Sequence, residues 1–186
     1  YDVPAIYTGN VFLEYLLEAR MEIRETEEKG KSVNQDKAFE LLEELAARER
    51  AKGYHPYLVS VGGSACGGHL EQPLGALGYF QAMLEIYEQT AKAADLPDYI
   101  VIASGSGGTQ AGLIAGVKAL GLKTRVIGIC VSDKKEEFFP IVKQVTMELL
   151  TTLGLDLQID DDDIILFDDY LGAGYGQITA ETAGVI

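Results

Sequence analysis

Apolar residues in the first hundred positions recur mainly at intervals of three and four, the spacing of a helix with one buried face. This pattern predicts helices over residues 9–16, 36–52 and about 76–94. Gly53 suits the end of the second of these helices. Two shorter apolar stretches, residues 21–23 and 57–61, predict strands. The predicted order of elements therefore begins with helix, strand, helix, strand and helix.

The second half of the chain alternates between continuous apolar runs and helical patterns. The apolar runs predict strands over residues 99–103, 125–131 and 164–167. The first run, YIVIA, is expected to be buried on both faces of a sheet. Helical spacing fills the intervals, over residues 109–120 and within 135–153. Strands that alternate with long helices indicate an α/β fold, an open and mostly parallel sheet with flanking helices and right-handed crossovers.

The chain is strongly acidic, with 15 Lys and Arg residues against 29 Asp and Glu residues and a net charge of −14. No stretch carries the run of unopposed cations that a nucleic-acid or anionic membrane surface needs. We therefore expect neither a nucleic-acid nor a membrane partner. The composition, 47% hydrophobic and 24% charged, is that of a folded globular chain.

Cysteine and histidine are too sparse for a disulfide framework or a zinc site. Cys66 and Cys130 are far apart and form no CxxC pattern, which favours a reducing, cytoplasmic setting. His55 and His69 are the only histidines. The acidic run 160–163 lacks the alternating ligands of a calcium loop and is expected to be a solvated turn or cap. No metal site is predicted.

The stretch ASGSGGTQAG, residues 103–112, stands where a predicted strand passes into a helix. The first N–H groups of a helix have no intrahelical acceptor and carry partial positive charge, so this junction favours an anion. Glycines let the main chain approach that anion, and hydroxyls add donors. The residues expected to bind a phosphate are Gly105, Ser106, Gly107, Gly108 and Thr109. A tight turn is the alternative interpretation, but it explains one glycine better than three.

Two nucleotide-binding motifs match the same stretch incompletely. The GxxxxGK[ST] loop fails because no Lys-Ser or Lys-Thr follows. The dinucleotide pattern GxGxxG matches at Gly105 and Gly107 but has Gln110 in place of the third glycine, although Asp133 lies at the end of the next strand. A compact loop of this kind suits a single phosphomonoester, and dinucleotide binding stays as the alternative.

Three sequence blocks resemble one enzyme family in their order and approximate spacing. They are PYLVSVGGS at 56–64 with PLGALGY at 73–79, ASGSGGTQAGL at 103–113, and DDYLGAGYG at 168–176. The resemblance is to the pyridoxal-phosphate enzymes of the tryptophan synthase β fold (fold type II). Within them it points to the group of D-cysteine desulfhydrases and 1-aminocyclopropane-1-carboxylate deaminases. It spans nearly the whole chain and is closer to the desulfhydrases.

The resemblance implies pyridoxal 5′-phosphate as the cofactor, held by its phosphate at residues 105–109, and a small amino acid as the substrate. D-Cysteine, converted to pyruvate, sulfide and ammonia, is the first expectation. The family also implies that Tyr175 is catalytic and that Ser64 binds substrate in the same cleft. A homodimer is expected, with residues 1–75 ending a small α/β domain and residues 76–186 forming the first half of a large cofactor-binding domain.

Three segments that the resemblance implies are missing: a lysine segment, the turn that follows it, and a C-terminal block that completes the large domain. No lysine follows Gly-Gly-Asn, as the Schiff-base lysine does in a GGNKxRK-like segment, and no QSNH-like turn is present. The segment 65–72, ACGGHLEQ, is longer than the family implies. The chain is therefore expected to be the central piece of a longer enzyme and to be inactive alone. A non-catalytic phosphate- or dinucleotide-binding α/β module is the competing expectation.

Overall fold

The computed structural model describes residues 9–23, 35–93, 95–172 and 179–185. Its helices are α1 (Gly9–Leu16), α2 (Gln35–Ala51), α3 (Leu74–Lys92), α4 (Gly108–Ala119), α5 (Lys135–Leu153) and α6 (Ala180–Val185). Its strands are β1 (Tyr99–Ser104), β2 (Arg125–Cys130) and β3 (Ile165–Phe167). Two short 3-10 turns, Val61–Gly63 and Asp161–Asp163, precede α3 and β3.

The three strands form one parallel sheet in the order β1-β2-β3. Tyr99 pairs with Arg125 at one end of the first ladder, and Ser104 pairs with Cys130 at the other end. One long helix joins each strand to the next, α4 after β1 and α5 after β2. This is the arrangement that the alternating patterns predicted, since parallel neighbours need a crossover connection.

One face of the sheet is packed by α4 and α5. The buried side chains of this core include Leu113, Ile114 and Val117 of α4, Phe138 and Val142 of α5, and Val126 and Cys130 of β2. Ile100 and Ile102 of β1 pack against it. On the opposite face, Tyr99 and Val101 are 58% and 61% exposed. The expectation that this strand is buried on both faces is wrong among the described residues, because both helices cover the same face.

A second helical layer forms where α3 packs on α4. Two glycines of α4 allow the helices to approach closely. A Cβ on Gly112 would collide with the carbonyl oxygen of Ala76, and one on Gly116 would lie 2.6 Å from Cβ of Met83. Ala76 and Met83 are fully buried. Because α4 lies between α3 and the sheet, its glycine-rich N-terminus is held in a fixed position.

Two expected strands are not found in the described part of the chain. Residues 21–23 have no regular structure, and residues 57–61 run without a partner strand into the first 3-10 turn. The second segment instead forms hydrogen bonds with the loop that contains His69. The N–H of Leu58 donates to Nδ1 of His69 at 2.8 Å, and the carbonyl of Leu58 accepts the N–H of His69 at 3.1 Å. The two strand predictions are wrong because apolar alternation alone supplies no neighbouring strand for a ladder.

The helix predictions are confirmed. The bounds of α1, α2, α3, α4 and α5 fall within about two residues of those expected, which is the usual scatter at helix ends. Gly53 follows the end of α2 with φ +88°, a conformation that favours glycine. Its N–H donates to the carbonyl of Arg50 at 2.9 Å, so it closes the last turn of that helix as expected.

Candidate phosphate site

The glycine-rich loop follows β1 and leads into α4. Gly107 precedes the helix with φ +85°, a left-handed conformation that residues with a Cβ rarely adopt. The N–H of Ala111 donates to the carbonyl of Gly107 at 2.9 Å and so closes the first turn. The N–H groups just before Ala111 have no acceptor within the helix. The loop therefore presents backbone donors at the positive end of the helix dipole.

A second glycine turn, residues 61–64, lies directly against this loop. A Cβ on Gly108 would stand 2.6 Å from Oγ of Ser64, and one on Gly62 would stand 2.7 Å from Oγ of Ser106. Gly62 also has φ +65°, which favours glycine. Bare backbone is therefore required on both sides of the contact.

The structure brings together predicted site residues that lie far apart in the sequence. Oγ of Ser64 donates to Oγ of Ser106 at 2.7 Å, and Ser64 is only 2% exposed. Thr109 stands in the first turn of α4 and is half-buried. Tyr175, the expected catalytic residue, lies outside the described residues. That these residues bind the cofactor or the substrate stays a prediction.

Polar residues at the carboxyl ends of β2 and β3 stand near the loop. A Cβ on Gly105 would lie 3.7 Å from Oγ of Ser132, and that hydroxyl donates to Asp133 at 2.5 Å. Asp168, just after β3, has Nζ of Lys134 at 3.5 Å. Because the carboxyl ends of parallel strands share one edge of a sheet, this edge carries both acidic and basic groups beside the loop.

Two pKa values at this edge depart from their ordinary range. Burial alone would raise the pKa of Asp168, but the backbone N–H of Lys135 and the charge of Lys134 outweigh it and lower that pKa. Burial, and then the charges of Asp168 and Asp133, raise the pKa of the Cys130 thiol. A thiol with a raised pKa stays protonated near neutral pH, so Cys130 is a core side chain and no activated nucleophile.

Gln110 is a buried residue whose role the sequence analysis missed. It is fully buried in the first turn of α4, and its Nε2 donates to the carbonyl oxygen of Ile165 at 2.9 Å. Its side chain lies over Gly128 of β2, where a Cβ would collide with Oε1 of the glutamine. Gln110 therefore connects the start of α4 to β3 across β2. The available signal was the glycine within the otherwise apolar run RVIGICV.

His69 and Cys66 both have structural partners. The ring of His69 stacks on Tyr57 with centroids 5.0 Å apart. The backbone N–H of Cys66 donates to Glu148 at 3.2 Å. Across the described ranges, no three His, Cys, Asp or Glu side chains converge in a way that could hold a metal ion. None of the helices described is long and apolar enough to cross a membrane.

The acidic run 160–163 is a capped turn, as expected. The carboxylate of Asp163 accepts the backbone N–H of Asp160 at 2.8 Å, one half of a capping box. Lysines from two helices form ion pairs with the run: Nζ of Lys118 lies 2.7 Å from Asp163, and Nζ of Lys143 lies 2.6 Å from Asp161. The turn therefore joins the helical layer to the start of β3.

A parallel sheet whose first crossover helix begins at a glycine loop defines a class of α/β proteins that hold a phosphate group at a helix N-terminus. Over residues 14–184 the chain matches the family of pyridoxal-phosphate dependent enzymes. The chain belongs to this family, which confirms the resemblance and the cofactor class that the sequence indicated.

Similar proteins narrow the comparison to one group. The chain is 43% identical over 145 residues to D-cysteine desulfhydrase of Yersinia enterocolitica (serotype O:8 / biotype 1B), covering 78% of this chain and 41% of the relative. It is 42% identical over 137 residues to D-cysteine desulfhydrase of Klebsiella pneumoniae (strain 342), covering 74% and 38%. The chain thus spans about two fifths of the length of these curated relatives.

A solved structure supports the same placement. It is described as an ACC deaminase homologue and superposes on this chain with a TM-score of 0.77 at 29% identity. The superposition covers 96% of this chain and 49% of the other. The expected fold class, that of the fold type II pyridoxal-phosphate enzymes, is confirmed.

Proposed function

We propose that this chain is part of a pyridoxal-phosphate dependent lyase that converts D-cysteine to pyruvate, sulfide and ammonia. The observation that carries the proposal is the phosphate cradle, residues 105–109, which lies at the N-terminus of α4 with residues 61–64 against it. Relatives named D-cysteine desulfhydrase, 39% to 43% identical, support the choice of substrate.

The described residues of the phosphate cradle fit the phosphate of the cofactor. The backbone N–H groups and the hydroxyls of Ser106 and Thr109 are suitable donors, and the positions from Gly105 to Gly108 carry no bulky side chain. A phosphate dianion at this position is favoured by the helix dipole. When bound, pyridoxal phosphate supplies an electron sink for the charge that develops at Cα of an amino-acid substrate.

We also propose that Tyr175 and Ser64 contact the substrate. The phenol of Tyr175 would hydrogen-bond near the reacting carbon or move a proton there. Ser64 stands at the border of the phosphate cradle and is proposed to contact the substrate from that side. Both assignments come from the resemblance of the blocks at 56–64 and 168–176 to the desulfhydrase and deaminase group.

We also propose the organisation of the whole enzyme. Residues 1–75 would end a small domain and residues 76–186 would begin the large cofactor-binding domain of a cytoplasmic homodimer. None of the lysines of the chain follows Gly-Gly-Asn. In this proposal the lysine that binds the cofactor covalently is not among them, and the 186 residues alone bind a phosphate ester without catalysing the reaction.

A chimera tests the proposal. The aligned segment of the Yersinia enterocolitica relative, 145 residues, is replaced by the matching residues of this chain. We expect the chimera to release pyruvate from D-cysteine and not from L-cysteine, and a Thr109→Ala chimera to retain the cofactor less well. A folded chimera that retains cofactor but acts only on 1-aminocyclopropane-1-carboxylate would contradict the substrate.

Dinucleotide binding is the alternative function, and a melting-temperature measurement distinguishes it from binding of the pyridoxal-phosphate cofactor. A ligand that binds only the folded chain raises its melting temperature. We expect pyridoxine 5′-phosphate to raise the melting temperature of the 186-residue chain and NAD to leave it unchanged. The reverse result would overturn the proposed cofactor site.

A further inference from the structure

The contact between the two glycine loops includes one hydrogen bond between side chains. Oγ of Ser64 donates to Oγ of Ser106 at 2.7 Å, and Ser64 is 2% exposed. A serine hydroxyl has one proton and two acceptor positions. When Ser106 accepts from Ser64, its own proton is available for a second acceptor, and a phosphate dianion beside Ser106 favours this direction of the bond.

Resting on the proposed function, we propose that Ser64 is a positioning residue for the phosphate of the cofactor. Its hydrogen bond fixes the rotamer of Ser106 and turns the Ser106 proton toward the phosphate cradle. Accepting one hydrogen bond also makes a hydroxyl a better donor of the next. In this arrangement Ser106 touches the phosphate, and Ser64 affects the phosphate only through Ser106, in addition to the substrate contact proposed above.

The turn that carries Ser64 is held firmly enough for this role. The N–H of Gly63 donates to the carbonyl of Ser60 at 2.8 Å, and Oγ of Ser60 donates to the carbonyl of Ala65 at 2.9 Å. The start of α3 packs directly against the turn, since a Cβ on Gly75 would lie 2.9 Å from the carbonyl oxygen of Gly63. A side chain positions its neighbour well only when its own backbone is fixed.

Segment 65–72 adds a support on the far side of the turn. The backbone N–H of Cys66 donates to Glu148 of α5 at 3.2 Å. Gly67 lies against the ring of Phe39 in α2, where a Cβ would collide with that ring. Leu70 is buried. The segment therefore connects the turn to α2 and α5 and keeps Ser64 facing the loop.

The chain offers a matched control in Ser60. It belongs to the same stretch, is 6% exposed, and bonds the carbonyl of Ala65 rather than the phosphate cradle. Ser60→Ala and Ser64→Ala each remove one buried hydroxyl and one hydrogen bond. Their effects on stability should be similar, whereas only the second should change recognition of a phosphate.

The test compares pyridoxine 5′-phosphate with pyridoxine, because this pair differs only in the phosphate and has no aldehyde to react with lysines. Calorimetry on the 186-residue chain gives the ratio of the two affinities. Ser64→Ala is expected to lower that ratio about 3- to 10-fold, the effect of one neutral hydrogen bond. Ser60→Ala is expected to leave the ratio unchanged.

A double-mutant cycle shows whether Ser64 acts through Ser106. In a Ser106→Ala background, adding Ser64→Ala should cause no further loss of the ratio. Losses that multiply, or a Ser64→Ala ratio equal to that of Ser60→Ala, would overturn the positioning role. If Ser64→Ala does not fold, Ser64→Cys, which keeps the shape of the side chain but is slightly larger and a weaker donor, is compared with Ser60→Cys in the same way.

Thr109→Ala separates this inference from the proposed function. If the wild-type chain binds both vitamers equally, the phosphate site itself fails. If the wild type prefers the phosphate form and Thr109→Ala weakens that preference while Ser64→Ala does not, only the role of Ser64 is overturned.

Discussion

The contact between the glycine loops 61–64 and 105–109 depends on the absence of single Cβ atoms. The contact leaves no room for a Cβ at Gly108, because Oγ of Ser64 would lie 2.6 Å from it. The sequence alone predicted a phosphate-binding loop at residues 105–109, because a strand, a glycine run and a helix follow one another locally. It could not derive the contact of Ser64 with Ser106, since tertiary packing alone brings these loops together.

Gly108→Ala is expected to push the loops apart. The new methyl group would meet a buried side chain, and overpacking of this kind costs about 1–3 kcal/mol of the free energy of unfolding. The preference for pyridoxine 5′-phosphate over pyridoxine should fall as well. Urea unfolding and calorimetry measure the two effects.

Gly78→Ala is the control for this substitution. Gly78 also lies in a helix, but nothing stands within 4 Å of its Cβ position. Alanine there should raise the free energy of unfolding by about 0.5–1 kcal/mol through the helix propensity alone. Equal effects of the two substitutions would contradict the close contact at Gly108.

The carboxylate of Asp168 makes the stability of the fold depend on pH. Its pKa is lower in the folded chain than the ordinary value of 3.8. The unfolded chain therefore binds the proton more readily, so the contribution of Asp168 is complete above that value. It is lost as the pH falls from about 4 through the lowered pKa.

Asp168→Asn should remove this contribution. We expect the melting temperatures of the wild type and the variant to differ at pH 7 and to converge as the pH falls from about 4 through the lowered pKa of Asp168. Asp169→Asn, at the exposed neighbouring residue, serves as the control. Melting curves of Asp168→Asn that stay parallel to the wild type over the whole range would contradict the assignment.

At the scale of elements, helices were predicted more reliably than strands. The bounds of α2 and α5 follow from long apolar periodicity and, for α2, from the glycine after its end. A strand needs a partner, and the sequence does not say whether one is present. Residues 57–61 have strand-like alternation, yet their backbone bonds go to the loop that contains His69.

Burial of the sheet also depends on information outside the local pattern. The run YIVIA predicted a strand covered on both faces. In the structure the even-numbered residues Ile100 and Ile102 face α4, while Tyr99 and Val101 face away and are exposed. Apolar content identified β1 correctly, but the side on which each crossover helix packs follows from the topology of the whole sheet.

At the scale of the whole molecule, the open face of the sheet is an exposed apolar surface. Val101 on this face is 61% exposed, and Phe167 is 44% exposed. Surfaces of this kind associate or bind hydrophobic dyes. Val101→Lys is expected to leave the 186-residue chain folded, to lower the fluorescence of bound anilinonaphthalene sulfonate and to increase solubility.

Ile102→Lys is the matched control for the open face. The side chain of Ile102 lies on the opposite face of the sheet and packs against the core that includes α4. A buried, unpaired charge is strongly unfavourable, so this substitution should unfold the chain. Circular dichroism and sedimentation compare the two variants, and unfolding by Val101→Lys would contradict the exposure of this face.

The strand order β1-β2-β3 is also the order along the chain, and each strand pairs with the one that follows after a single helix. Among the possible orders of three parallel strands, this one closes the shortest loops, and a shorter loop costs less closure entropy. The sheet can therefore grow strand by strand while the polypeptide leaves the ribosome. Because residues 61–64 and 105–109 both precede β2, the two glycine loops can meet before β3 has been synthesised.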